Sequence, residues 1–251
     1  MTTTRRLALA LTAAGLFAAV NLANAWPFSG ERVNGSGQVG TEQRDPGAFD
    51  GVALSGDFKV VVRQAAGNHV ELKTDANLLP YIETRIVDKG HGRTLEIGTK
   101  RGYSLHPTST PQIVLDMPTL RDISVSGSGD IKVGAIKGAD VSVSISGSGD
   151  LTFEQLEAQA LSLSVSGSGD VKAAGRAGTF KLSVSGSGDV KAPDFAADDV
   201  KISIAGSGDA VVRANKTLNV SVAGDGDISY HGNPVVSSWI AGSGRLKKLD
   251  N

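Results

Sequence analysis

The sequence predicts an all-β fold: a stacked β-solenoid with coils of about 20 residues and a more irregular N-terminal half. Three observations predict it. The string G-S-G-D recurs at Gly127, Gly147, Gly167, Gly186 and Gly206, followed by G-D-G-D at Gly224 and G-S-G-R at Gly242. Around every motif the apolar residues keep a single parity. The composition, with 32 Gly and only 5% aromatic residues, suits tight turns and short strands.

The chain starts with an export signal. Arg5 and Arg6 precede an apolar run over 7–22, and Ala23-Asn24-Ala25 forms a small-x-small cleavage site. Residues 1–25 are therefore set apart, and 26–251 form one solenoid domain. The expected location after cleavage near Ala25 is the periplasm or the cell exterior. No later stretch is long and apolar enough to span a bilayer. With no Cys, no disulfide supports the fold, and packing and hydrogen bonds must hold it.

Residues 26–120 carry strands, a cap and degenerate coils. Val33, Gly35, Gly37 and Val39 look like a degenerate copy of the repeat. Val52, Leu54, Gly56, Phe58, Val60 and Val62 show the full parity with one Gly. Further strands are expected around Val70-Glu71-Leu72, 94–97 and 113–117, and a short helix over 78–85. A solenoid exposes an open core at its end, so this region is read as the cover.

Residues 121–251 carry the regular coils. Successive motifs are spaced by 20, 20, 19, 20, 18 and 18 residues. In the first repeat Ile123, Val125, Ile131 and Val133 share odd positions with Gly127 and Gly129, while Ser124, Ser126, Ser128 and Asp130 share even ones. That alternation is the mark of a half-buried strand. The phase survives each Gly pair, so each repeat reads as two strand segments joined at a glycine corner. Connections of five to seven residues, such as 134–140, lead to the next coil. At about 3.3 Å per residue, one repeat gives a perimeter of roughly 60 Å. Stacking at about 4.8 Å then pairs the backbone of each coil with the next. Each inward Val, Ile or Leu contributes roughly 1.5–3 kcal/mol when fully buried.

The segment from Phe49 through Asn77-Leu78-Leu79-Pro80-Tyr81-Ile82-Glu83 to Thr94-Leu95-Glu96-Ile97 resembles the first half of the head GIN domain family, named for autotransporter-adhesin heads. Met117-Pro118-Thr119-Leu120 leading into the repeats resembles its second half, as do His231-Gly232-Asn233-Pro234 and Gly242-Ser243-Gly244. The resemblance implies a right-handed parallel β-helix, exported and envelope-associated. It brings no catalytic residues.

Two rows of residues are candidates for function. Asp130, Asp150, Asp170, Asp189, Asp209 and Asp227 would form a carboxylate ladder. Such a row either accepts N–H bonds at its own glycine corners or gathers hard cations. Ser126, Ser146 and Ser166, with their neighbours of like parity, would form a hydroxyl face for a glycan or a partner protein. Trp239 falls on the outward parity of the last repeat and is a candidate contact.

Other classes find little support. The net charge is −1, with no basic block, so nucleic acid is not an expected partner. His69, His91, His106 and His231 show no metal-ligand spacing, and G-S-G-D opens no helix that could cradle a phosphate. No cofactor is implied. The reading is a non-enzymatic envelope module that binds a polymer or a protein. The alternatives are a lyase-like polysaccharide enzyme, by analogy of fold alone, and a structural module that self-associates.

Overall fold

A computed structural model of the protein describes residues 30–90 and 92–250. The expected export signal and His91 lie outside the described residues. The fold is a β-solenoid of about six turns.

The first coil consists of Gly51–Ser55 and Lys59–Gln64. They meet at a corner where Gly56 takes φ 117°. This coil is flanked on both sides. On one side Arg93–Thr99 and Gln112–Met117 run parallel to its two strands. On the other, Asp122–Gly127 and Asp130–Lys137 do the same. The chain thus leaves the first coil, builds the cover beneath it, and returns to continue above it.

The cover is closed by antiparallel strands. Ile82–Asp88 pairs with Arg93–Thr99, His69–Asp75 with Gln112–Met117, and Val39–Arg44 with His69–Asp75. Two expectations are corrected here. Residues 78–85 form no α-helix: a 3-10 turn at Leu79–Tyr81, with Pro80 in it, leads directly into strand. The alternation of Ile82, Thr84 and Ile86 suits pairing with Arg93–Thr99 better than a helical face. The 33–39 segment is also not a coil. Glu31–Asn34 pairs with Tyr103–His106 in a separate two-stranded sheet, and Val39 is exposed. Asp75 ties this region together. Its buried carboxylate accepts the Gly37 N–H at 2.6 Å, the Thr108 N–H at 2.8 Å and the Thr108 hydroxyl at 2.9 Å.

Above the first coil the repeats stack in register. Ile123, Val143, Leu163, Leu182, Ile202 and Val220 form one inward column. Val125, Ile145, Val165, Val184, Ile204 and Val222 form a second, and all twelve are buried. The expected connections prove to be structure as well. Leu151–Gly167, Val171–Gly186, Val190–Gly206 and Ala210–Gly224 run as strand from one coil into the next, with bulges at the bends. They bury Leu156, Ala177 and Phe195, a further wall of the core.

The two glycines of each corner do different work. The second, as in Gly169, is buried, and a Cβ there would overlap the Gly149 carbonyl oxygen in the coil below. The first, as in Gly167, is partly exposed at the bend and takes φ 132°, a conformation closed to most L side chains. The expectation that both point inward holds for the second alone.

Val235–Ala241 and Leu246–Lys248 form the last coil, largely exposed. No helix among the described residues is long and apolar enough to cross a membrane.

Candidate functional site

The aspartates form the ladder that the repeat predicted, and its chemistry is backbone pairing. The Asp170 N–H donates to Asp150 Oδ1 at 2.9 Å, that of Asp189 to Asp170 at 3.0 Å, that of Asp209 to Asp189 at 3.1 Å, and that of Asp227 to Asp209 at 2.8 Å. The carboxylates of Asp150, Asp170, Asp189 and Asp209 therefore serve the next coil, whereas the sequence reading expected each to serve its own corner; Asp130 makes no such bond to Asp150. The Asp carbonyls accept in the opposite sense: Ile131 N–H reaches Asp150 O at 2.8 Å and Leu151 N–H reaches Asp170 O at 2.9 Å. These bonds replace the ladder pairing that the glycine bend interrupts. They also offset repulsion between neighbouring carboxylates, close to 1 kcal/mol at about 5 Å in water. At the last corner Arg245 stands in the Asp position. Its N–H bonds Asp227 Oδ1 at 2.9 Å and its guanidinium meets Oδ2 at 2.6 Å. That side-chain bond holds the Asp227 carboxyl below its ordinary range. Among the described residues no group of three or more His, Cys, Asp or Glu is placed to hold a metal.

The outward side of the first strand segment forms a different surface. Ser124, Ser144, Ser164, Ser183, Ser203 and Ser221 stack in one row, and the register carries that row up to Trp239. Beside it Ser126, Ser146, Ser166 and Ser185 form a second row. The flanking row reads Asp122, Ser142, Ser162, Lys181, Lys201, Asn219. Trp239 is 61% exposed, so its indole is free for contact at the end of the hydroxyl row.

This face is concave. Depressions of about 700, 620 and 430 Å³ follow one another along it. They share residues: Lys89 lines the first two, and Ser142, Ser162 and Lys181 line the second and third. Together they make one trough along the stacking direction. Near the cover, Asp50 accepts the Arg93 N–H at 2.8 Å and pairs with Arg121 at 3.3 Å. Asp122 lies beside it, half-buried. Burial raises its pKa, Lys89 lowers it, and Asp50 raises it. Farther along, Lys181 and Lys201 stand in register on adjacent coils.

The sequence located the serines and Trp239 but missed the trough. Its wall includes Lys89, which the covering strands bring beside Asp122 across a long sequence separation. The lysines carried a signal: Lys181 and Lys201 occupy the repeat position that Ser142 and Ser162 hold in earlier coils.

A family model described as putative auto-transporter adhesin, head GIN domain, matches residues 48–234. The chain belongs to this family. The matched stretch of the head GIN domain runs from the first coil to the turn before the last one. A putative adhesin from Bacteroides fragilis has the same fold, with a TM-score of 0.81 at 24% identity, over 86% of this chain and 100% of that one. A putative lipid binding protein from Parabacteroides distasonis aligns with a TM-score of 0.73 at 26% identity, over 88% of this chain and 100% of that one. A putative adhesin from Parabacteroides merdae aligns with a TM-score of 0.68 at 24% identity, over 88% and 100%. No curated protein matches this head GIN domain.

Proposed function

We propose that this head GIN domain is an exported, non-enzymatic binding module whose serine-lined trough receives an extended envelope or surface polymer. The observation that carries the reading is the row from Ser124 to Ser221, in register and ending at the exposed Trp239. Repeated hydroxyls at one coil spacing, about 4.8 Å, offer repeated hydrogen bonds to a repeating ligand. An exposed indole offers a flat apolar platform for the face of a sugar ring. The family's adhesin names agree with surface attachment.

Export follows from the signal over 1–25, with cleavage near Ala25 and residence in the periplasm or outside the cell. A lipid, which the name of the Parabacteroides distasonis relative raises, fits less well, because an acyl chain would lie against the charged side chains of Lys89, Arg121, Asp122, Lys181 and Lys201.

A glycan array with the exported chain tests the reading. Binding to an oligosaccharide is expected, weakened by Trp239→Ala and by Ser164→Gln, which fills the trough without touching the core. Absence of any glycan hit, or a hit indifferent to both substitutions, overturns it. Release of unsaturated or reducing sugar from a bound polymer would overturn the non-enzymatic part.

A further inference from the structure

We infer that the polymer is anionic and that Lys181 and Lys201 hold its charges. This rests on the trough reading above and names its ligand class.

The two lysines stack in adjacent coils and are exposed. Both line the same depression, together with Ser142, Ser162, Ser144 and Ser164. Neither forms an ion pair among the described residues. Elsewhere on the solenoid several cations meet a carboxylate, while Lys59, Lys172 and Lys247 form no ion pair among the described residues. Lys132 reaches Glu154 at 2.7 Å, Lys216 reaches Asp198 at 2.8 Å and Arg176 reaches Glu157 at 3.1 Å. Lys191 stacks on Lys172, and there Asp189 answers Lys191 at 3.6 Å. Asp199, two residues before Lys201, accepts the Thr217 hydroxyl at 2.7 Å.

Two unanswered ammonium groups, fixed by the fold at one coil spacing, place positive charge in a concave hydroxyl-lined surface. Complementarity then calls for negative charge on the ligand, repeated along its length as in a uronate or sulfated chain. Asp122 and Asp140 line the end near the cover. They repel anions, so the charged run of the ligand is placed at the lysines and beyond.

The test uses the full chain carrying Trp26→Phe, which leaves Trp239 as the single Trp. Its fluorescence is titrated with an oligogalacturonate and with an uncharged maltooligosaccharide of equal length. The acidic oligomer should bind about tenfold tighter. The advantage should fall with added salt and vanish in the Lys181→Gln, Lys201→Gln double variant. If both oligomers bind equally and the double variant changes nothing, the anionic assignment fails while the trough reading stands. If neither oligomer binds, the anionic assignment fails, and the trough reading fails with it when the glycan array is also without a hit.

Discussion

The backbone N–H of Asp189 donates to the carboxylate of Asp170, one coil below, at 3.0 Å. A side chain therefore completes a backbone ladder at a point where the glycine bend removes the usual carbonyl partner. The G-S-G-D motif is a complete corner: one Gly for the bend, one for the close approach, and an Asp for the stitch.

Asp170→Ala should lose about 1 kcal/mol, since one bond goes and an N–H loses its partner at a water-accessible edge. Asp170→Asn keeps an acceptor and should retain most of the stability. Urea unfolding at neutral pH compares the two, and equal losses in both would mean that charge and not the bond matters.

Gly167→Val should be severely destabilising, about 3 kcal/mol or more, through the positive φ and the overlap with Gly147. Ser166→Ala, the adjacent exposed position, should stay within about 0.5 kcal/mol. Thermal melting of the two variants reads the contrast. A Ser166 loss as large as that of Gly167 would invert the assignment of faces.

Phe180 and Phe195 pack edge to face with ring centroids 5.4 Å apart, both fully buried. Phe180→Ala should cost about 3–5 kcal/mol, because neighbouring coils are held in register and close the cavity poorly. A chemical denaturation midpoint measures it.

Two carboxyls give opposite pH signatures. Hydrogen bonds from Thr108 and Gly37 depress the Asp75 pKa. Its stabilisation is present above the unfolded pKa and is lost as pH falls through the lower, folded one. Burial raises the Asp122 pKa, so its contribution worsens as pH rises from the unfolded value through the folded one. Asp122→Asn should therefore leave stability equal or higher at neutral pH, and Asp75→Asn should lower it there. Melting temperatures measured from acid to neutral pH for both variants check the signs.

The repeats were legible because each coil restates the same physics. Ile123 and Val125 predict the burial of Val143 and Ile145, and Gly129 predicts Gly149. The cover was not legible to the same degree. Its strands around Val70, Leu95 and Ile113 showed as apolar segments, but the antiparallel pairing of Val70 with Leu115 joins strands far apart along the chain, and the hairpin of Ile82–Asp88 with Arg93–Thr99 carries no G-S-G-D motif to mark it. Leu79 and Ile82 looked helical only while Arg93–Thr99 was not in view. The candidate site divides in the same way. The serine rows follow from parity, whereas the trough needs the cover to bring Lys89 and Asp50 beside Asp122.

The position of Gly51–Ser55 between Arg93–Thr99 and Asp122–Gly127 sets an order for folding. The cover must close a long loop before the first coil has neighbours on both sides. Later coils each close a loop of one repeat, which is local and fast. The kinetic nucleus should thus lie in the cover, with the remaining coils zipping on in chain order. Leu95→Ala should slow refolding, while Val222→Ala, far along the zipper, should mainly speed unfolding.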